Sequence, residues 1–82
     1  MALHLNDWAL RERGWNRIAV YECFEKGQRC LNIECWENHG AYLVRSWYSH
    51  GRLWDDVFHD KDAANNEVKR LWSLRKWHKK VA

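Results

Sequence analysis

Residues 41–58 read AYLVRSWYSHGRLWDDVF, and the fold turns on how this stretch pairs with itself. Both arms are rich in strand-forming aliphatic and aromatic residues. His50-Gly51 between them predicts an antiparallel turn. With that turn as centre, Trp47 pairs with Trp54, Arg45 with Asp56, Leu43 with Phe58 and Val44 with Val57. Each pair is chemically matched, and such cross-strand pairs stabilise by roughly 0.2–1 kcal/mol each. A one-residue slip sets Trp47 against Leu53 and Arg45 against Asp55, which is the less distinctive pairing.

Working outward, residues 17–25 and 29–37 are two more strand candidates, with Lys26-Gly27 as the turn between them. Asn38-His39-Gly40 ends the second strand, residues 41–49 form the third and residues 53–59 the fourth. Tight turns throughout predict an antiparallel meander. Upstream, Asn6-Asp7 followed by WALRER and Gly14 reads as a short helix, with Asp7 accepting from the first-turn amides. Downstream, residues 60–80 read as one helix capped by Asp60, with Ala64, Val68 and Leu71 on its apolar stripe. The expected fold is α+β in a single domain, 1–82. It consists of a short N-terminal helix, a four-stranded antiparallel meander sheet and a C-terminal helix packed on one face.

Alternation along the strands sorts the sheet into two faces. Ile18, Val20, Phe24, Leu31, Ile33, Cys35, Tyr42, Val44, Tyr48, Leu53 and Val57 make an aliphatic face for the C-terminal helix to cover. The other face carries Ala19, Tyr21, Cys23, Cys30, Trp36, Leu43, Trp47, Trp54 and Phe58 among Arg17, Asn32, Glu34, Arg45 and Asp56. Two readings of this aromatic face stand side by side. Leu3, Leu5, Trp8 and Trp15 of the N-terminal segment cover it as a second core, or part of it stays open as a binding platform.

The chain has 82 residues, with seven Trp, three Tyr and two Phe, no Pro and four Gly. At this size the aromatics are its main means of burying area, since each large ring buries roughly 150–250 Å². The net charge of +3 is unevenly placed: residues 1–67 sum to −3 and residues 68–82 to +6. A basic end favours an anionic partner and argues against a uniformly acidic nucleic-acid mimic. Neither a signal peptide nor a membrane span is expected, and three cysteines fit a reducing, cytoplasmic setting better than a disulfide scaffold.

Cys30, Cys35 and His39 have metal-like spacing, but Cys30 and Cys35 have opposite parity on one strand and lack a fourth ligand. Buried thiols are the expectation, with Cys23 and Cys30 paired across the first hairpin. Asp55, Asp56, His59, Asp60 and Asp62 gather around one histidine, but Asp55 and Asp56 point to opposite faces and Asp60 serves as a cap. No nucleophile elbow, Gly-rich phosphate loop, or Ser-His-Asp or Cys-His arrangement is present. The expectation is therefore a protein that is not an enzyme and holds no cofactor or metal. Trp77, among Arg70, Ser73 and Lys80, presents an aromatic ring beside cations, an arrangement that suits stacking on bases and pairing with phosphates.

Four strands, then a helix, with Trp47, Gly51, Arg52, Phe58 and Ala64 in order, resembles the nucleic-acid-associated WGR domain. In that family Trp, Gly and Arg are contiguous, whereas three residues separate Trp47 from Gly51 here, so no site is carried over. In size and style the chain also resembles small phage-encoded inhibitors such as anti-CRISPR proteins. The functional expectation is a small intracellular binding protein that docks on a host protein handling nucleic acid. Its binding residues are Trp36, Arg45, Trp47 and Trp54 on the sheet, with Lys69, Arg70, Lys76, Trp77 and Lys80 toward the C-terminus. Direct nucleic-acid binding through the basic end, with Lys79 added, is the alternative. An enzyme at Asp55, Asp56 and His59 is a third, and a homodimer through the aromatic face is compatible with the first.

Overall fold

Two consecutive left-handed residues, His39 (φ 48°) and Gly40 (φ 85°), set the central hairpin. Positive φ at both central positions matches a two-residue turn to the right-handed twist of its strands. A computed structural model describes residues 5–25, 28–48, 53–73 and 77–80. In it this turn joins β2 (Gln28–Asn38) to β3 (Ala41–Tyr48), with Asn38 opposite Ala41. β1 (Asn16–Glu25) pairs with β2, and β4 (Leu53–Phe58) pairs with β3, all antiparallel. The meander, the short helix α1 (Asp7–Glu12) and the helix α2 (Lys61–Ser73) give the expected α+β architecture.

The predicted long helix is shorter than its sequence suggests. α2 ends at Ser73, and Trp77–Lys80 forms a fifth strand, β5, on the outer edge of β1. The sheet order is β4-β3-β2-β1-β5. Local helix propensity yields here to the unpaired amides and carbonyls that β1 presents at its edge.

Two bulges govern which side chains β1 presents. Arg17 faces Trp36 and Ala19 faces Cys35, so Ile18 is an extra residue, almost half exposed. Cys23 faces Leu31 and Phe24 faces Arg29, so Cys30 is the compensating extra residue of β2. Between the bulges β1 is inverted relative to simple alternation. Ala19, Tyr21 and Cys23 therefore lie on the α2 face, and Cys23 is not the partner of Cys30.

The β3–β4 register is the slipped one. Trp47 faces Leu53, Arg45 faces Asp55, Leu43 faces Val57 and Tyr42 faces Phe58. Trp54, Asp56 and Phe58 consequently move to the α2 face, while Leu53 and Val57 move to the other. Asp55 and Asp56 are adjacent, so both registers offer Arg45 a carboxylate. The observed one sets buried Asp55 against buried Arg45 and leaves Asp56 exposed.

Each face carries its own core. Under α2, Ala64 and Val68 pack on Ala19, Cys23, Ile33, Cys35 and Val44, flanked by Tyr42, Phe58 and Leu71. Tyr21 and Trp72 meet there with ring centroids 5.2 Å apart. On the opposite face Leu10 and Trp15 pack on Trp36 and Leu43, flanked by Leu5, Ala41 and Val57. The N-terminal segment thus covers much of the aromatic face. Cys35 lies in the first core, where burial, followed by the nearby charge of Glu37, pushes its thiol pKa up.

Candidate functional site: a cleft between α1 and the sheet

α1 is short, and its ends are specified by side chains. Asn6 caps it, accepting from the Ala9 amide at 2.8 Å, so the cap is Asn6 and not Asp7. Asp7 is left on the first turn, free to point at cations of the sheet. At the other end Gly14, at φ 91°, closes the helix. The Gly14 amide donates to Arg11 O at 3.1 Å and the Trp15 amide to Leu10 O at 3.0 Å. This double bond to the last turn carries a Leu10–Trp15 apolar contact with it.

With Leu10 fully buried, Trp8, two residues earlier, falls off the buried stripe. It is 69% exposed. Asn6, Asp7 and Trp8 form one wall of a cleft of about 530 Å³ whose other wall is Glu34, Arg45, Trp47 and Leu53.

The floor of the cleft is charged. Glu34 and Asp55 stand opposite Arg45 on its two neighbouring strands, and all three are buried. Arg45 donates to Leu5 O through Nη2, and its Nη1 lies 3.5 Å from Asp7 Oδ1. Glu34 accepts from Trp36 Nε1 through Oε1 and from Arg17 Nη1 through Oε2, each at 3.1 Å. Arg17 also lies 4.0 Å from Asp7. Three carboxylates, Asp7, Glu34 and Asp55, therefore surround two guanidiniums, Arg17 and Arg45. Arg45 is held by these ion pairs and by the one bond from Nη2, while its buried Nε and Nη1 have no hydrogen-bond partner.

The residues expected to bind are dispersed by this arrangement. Trp36 is fully buried, roofed by Arg11, whose guanidinium carbon lies 5.2 Å from the ring centroid. It is a core residue and not part of an open platform. Arg45 and Trp47 come together at the cleft. Trp54, 54% exposed, lies on the opposite face of the sheet beside Ser46. Lys69 and Arg70 are exposed on α2. A hydrogen bond from Arg70 to Glu67 raises the guanidinium pKa, with the charges of Glu67 and Asp56 adding. In β5 the backbone positions of Trp77, Lys79 and Lys80 stand opposite Phe24, Glu22 and Tyr21, so Trp77 is not on a helix face. Lys76 lies outside the described residues, as do Gly51 and Arg52 of the WGR likeness.

Asp55 is buried on the cleft side, Asp56 is exposed on the α2 side, and His59 and Asp60 follow β4 at the surface. Asp60 accepts from the Asp62 amide at 3.3 Å, as the cap of α2. The sequence reads Asp7 as a cap, Trp8 as part of the cover of the aromatic face and Glu34 as a residue of that face, none of them as binding residues, whereas Trp8 is exposed. The available signal for Trp8 was its helical phase relative to Leu10. Its place with Trp47 in the lining of one cleft is tertiary and leaves no local trace.

No family model, no curated protein and no solved structure matches the chain. Among the described residues, no helix is long and apolar enough to cross a membrane.

Proposed function

We propose that this chain is a binding protein and not an enzyme, and that it docks on a partner protein through the cleft between α1 and the sheet. The observation that carries this reading is the placement of Trp8 and Trp47 on facing walls of that cleft. Both cores are built without Trp8. A 69% exposed tryptophan adds little to the packing of the monomer, and Trp and Arg are among the residues enriched at interface hot spots. In the finer form of the proposal, the chain is an intracellular inhibitor of the phage-encoded type, and its target is a host protein that handles nucleic acid. The absence of any recognised catalytic motif in the sequence supports that form.

The test is capture of partners from lysate on the immobilised chain, followed by reconstitution of the complex from purified components. Trp8→Ala and Trp47→Ala, with folding verified by circular dichroism, are expected to lose the reconstituted complex. A complex that survives both substitutions sinks the choice of surface. The charge of +6 over residues 68–82 favours direct nucleic-acid binding as a second reading. That reading requires retention of DNA or RNA on filters at low salt, falling steeply as salt rises.

A further inference from the structure

We propose that the cleft receives a basic side chain of the partner, an arginine or lysine, inserted between Trp8 and Trp47 with Asp7 at its rim. This deepens the docking reading above and rests on it. The walls come first. An indole face attracts a cation, by about 0.5–1 kcal/mol at exposed sites and about 2 kcal/mol or more once desolvated. The protein already uses that contact internally, with Arg11 over Trp36.

Charge then selects the occupant. The cleft lining itself holds Asp7 and Glu34 against Arg45. Glu34 is also engaged by Arg17 and Trp36, and Asp55 stands against Arg45 from the far strand. The cluster keeps a net negative charge, and Asp7, whose side chain is half exposed, carries it to the surface. A carboxylate or phosphate entering here would meet the half-exposed Asp7 first, since Arg45 is as deeply buried as Glu34. A guanidinium or ammonium meets two indoles and the half-exposed carboxylate of Asp7. The volume of about 530 Å³ is within the range of small-ligand clefts, about 300–1,000 Å³. A protein that handles nucleic acid presents such cations where phosphate binds, so docking would compete with its nucleic acid.

The experiment is a two-dimensional NMR titration of the whole chain with four capped pentapeptides, acetyl-Gly-Gly-X-Gly-Gly-amide, where X is Arg, Lys, norleucine or Glu. The expected result is saturable shifts of the Trp8 and Trp47 indole N–H signals with the Arg and Lys peptides. Trp8→Ala, Trp47→Ala and Asp7→Asn should each weaken binding about two- to fivefold. Trp47→Phe, which keeps a π face, should retain most of it. An equal response to norleucine shows a merely apolar cleft and overturns the proposal. A stronger response to Glu shows an anion site at Arg45 and also overturns it. Self-association in sedimentation that Trp8→Ala abolishes would assign the cleft to the basic segment of a second copy, with the same consequence. If the reconstituted complex depends on Trp8 and Trp47 while the peptides show no charge preference, the cation proposal fails and the docking reading stands.

Discussion

Arg45 stands directly opposite Asp55 across β3 and β4, and both side chains are buried. Together with Glu34 on the other flank, they place a row of three charges across the sheet beneath α1. In the alternative register Asp56 would take the place of Asp55 opposite Arg45, and Asp55 would turn to the α2 face; the observed register buries Asp55 in the row and leaves Asp56 exposed.

That row makes two adjacent aspartates unequal. Asp55→Ala removes one partner from a buried set and is expected to cost about 3 kcal/mol. Asp56→Ala, at an exposed position, should cost less than about 1 kcal/mol. Urea denaturation of the two variants measures the difference, and equal costs would contradict the register.

Two tryptophans should separate in the same way. Trp36 is fully buried and donates to Glu34, so Trp36→Ala is expected to cost about 3–5 kcal/mol and abolish the folded state in a domain of this size. Trp8→Ala should shift stability by no more than about 0.5 kcal/mol. Thermal melts followed by near-ultraviolet circular dichroism give both values.

Gly14 and Gly40 both sit at positive φ, but their surroundings differ. A methyl group on Gly14 would come 3.3 Å from Asn38 Oδ1, and that same Asn38 amide donates to Arg13 O at 3.1 Å. A methyl group on Gly40 meets nothing within 4 Å. Left-handed backbone alone costs an L-residue about 1–2 kcal/mol, so Gly14→Ala is expected to exceed Gly40→Ala by the loss of the Asn38 bond. Equal midpoints in denaturant would show that Asn38 yields freely.

The thiol of Cys35 supplies a pH dependence. Burial holds its pKa above the ordinary value of 9.0, so the unfolded chain releases this proton first as pH rises. Below about pH 8 both states keep the proton, and the full contribution of this group is present. Above the ordinary value, stability falls until the folded-state pKa is passed. Denaturation midpoints are expected to drop as pH rises through and above the ordinary thiol range, more steeply in the wild type than in Cys35→Ala. Native alkylation of Cys35 at neutral pH should be slow for the same reason. Parallel slopes in the two proteins would remove Cys35 as the cause.

Much of this architecture is written locally. His39-Gly40, the cap at Asp60 and the strand periodicity each announce themselves within a few residues. The faces were harder to read, for a physical reason. A bulge changes parity without any compositional mark, so Ile18 inverted Ala19, Tyr21 and Cys23 unseen. Asp55 and Asp56 made the two β4 registers chemically degenerate. Residues 77–80 are strand through pairing with β1, which no local preference encodes. The cleft is least legible of all, because Trp8 and Trp47 come to line one cleft only when α1 docks.

The position of β5 has a bearing on folding order. β1 gains one neighbour from the adjacent hairpin, a closure over a few residues that forms on the microsecond scale, about 1–10 μs. Its other neighbour pairs Tyr21 with Lys80, a closure across most of the chain, with β2, β3, β4 and α2 lying between in sequence. Until then the outer edge of β1 is a vacant template, able to capture the same segment from another chain. Pairing with β5 of the same chain closes that template, and pairing with the same segment of a second copy would give a strand-exchanged pair, favoured by high protein concentration.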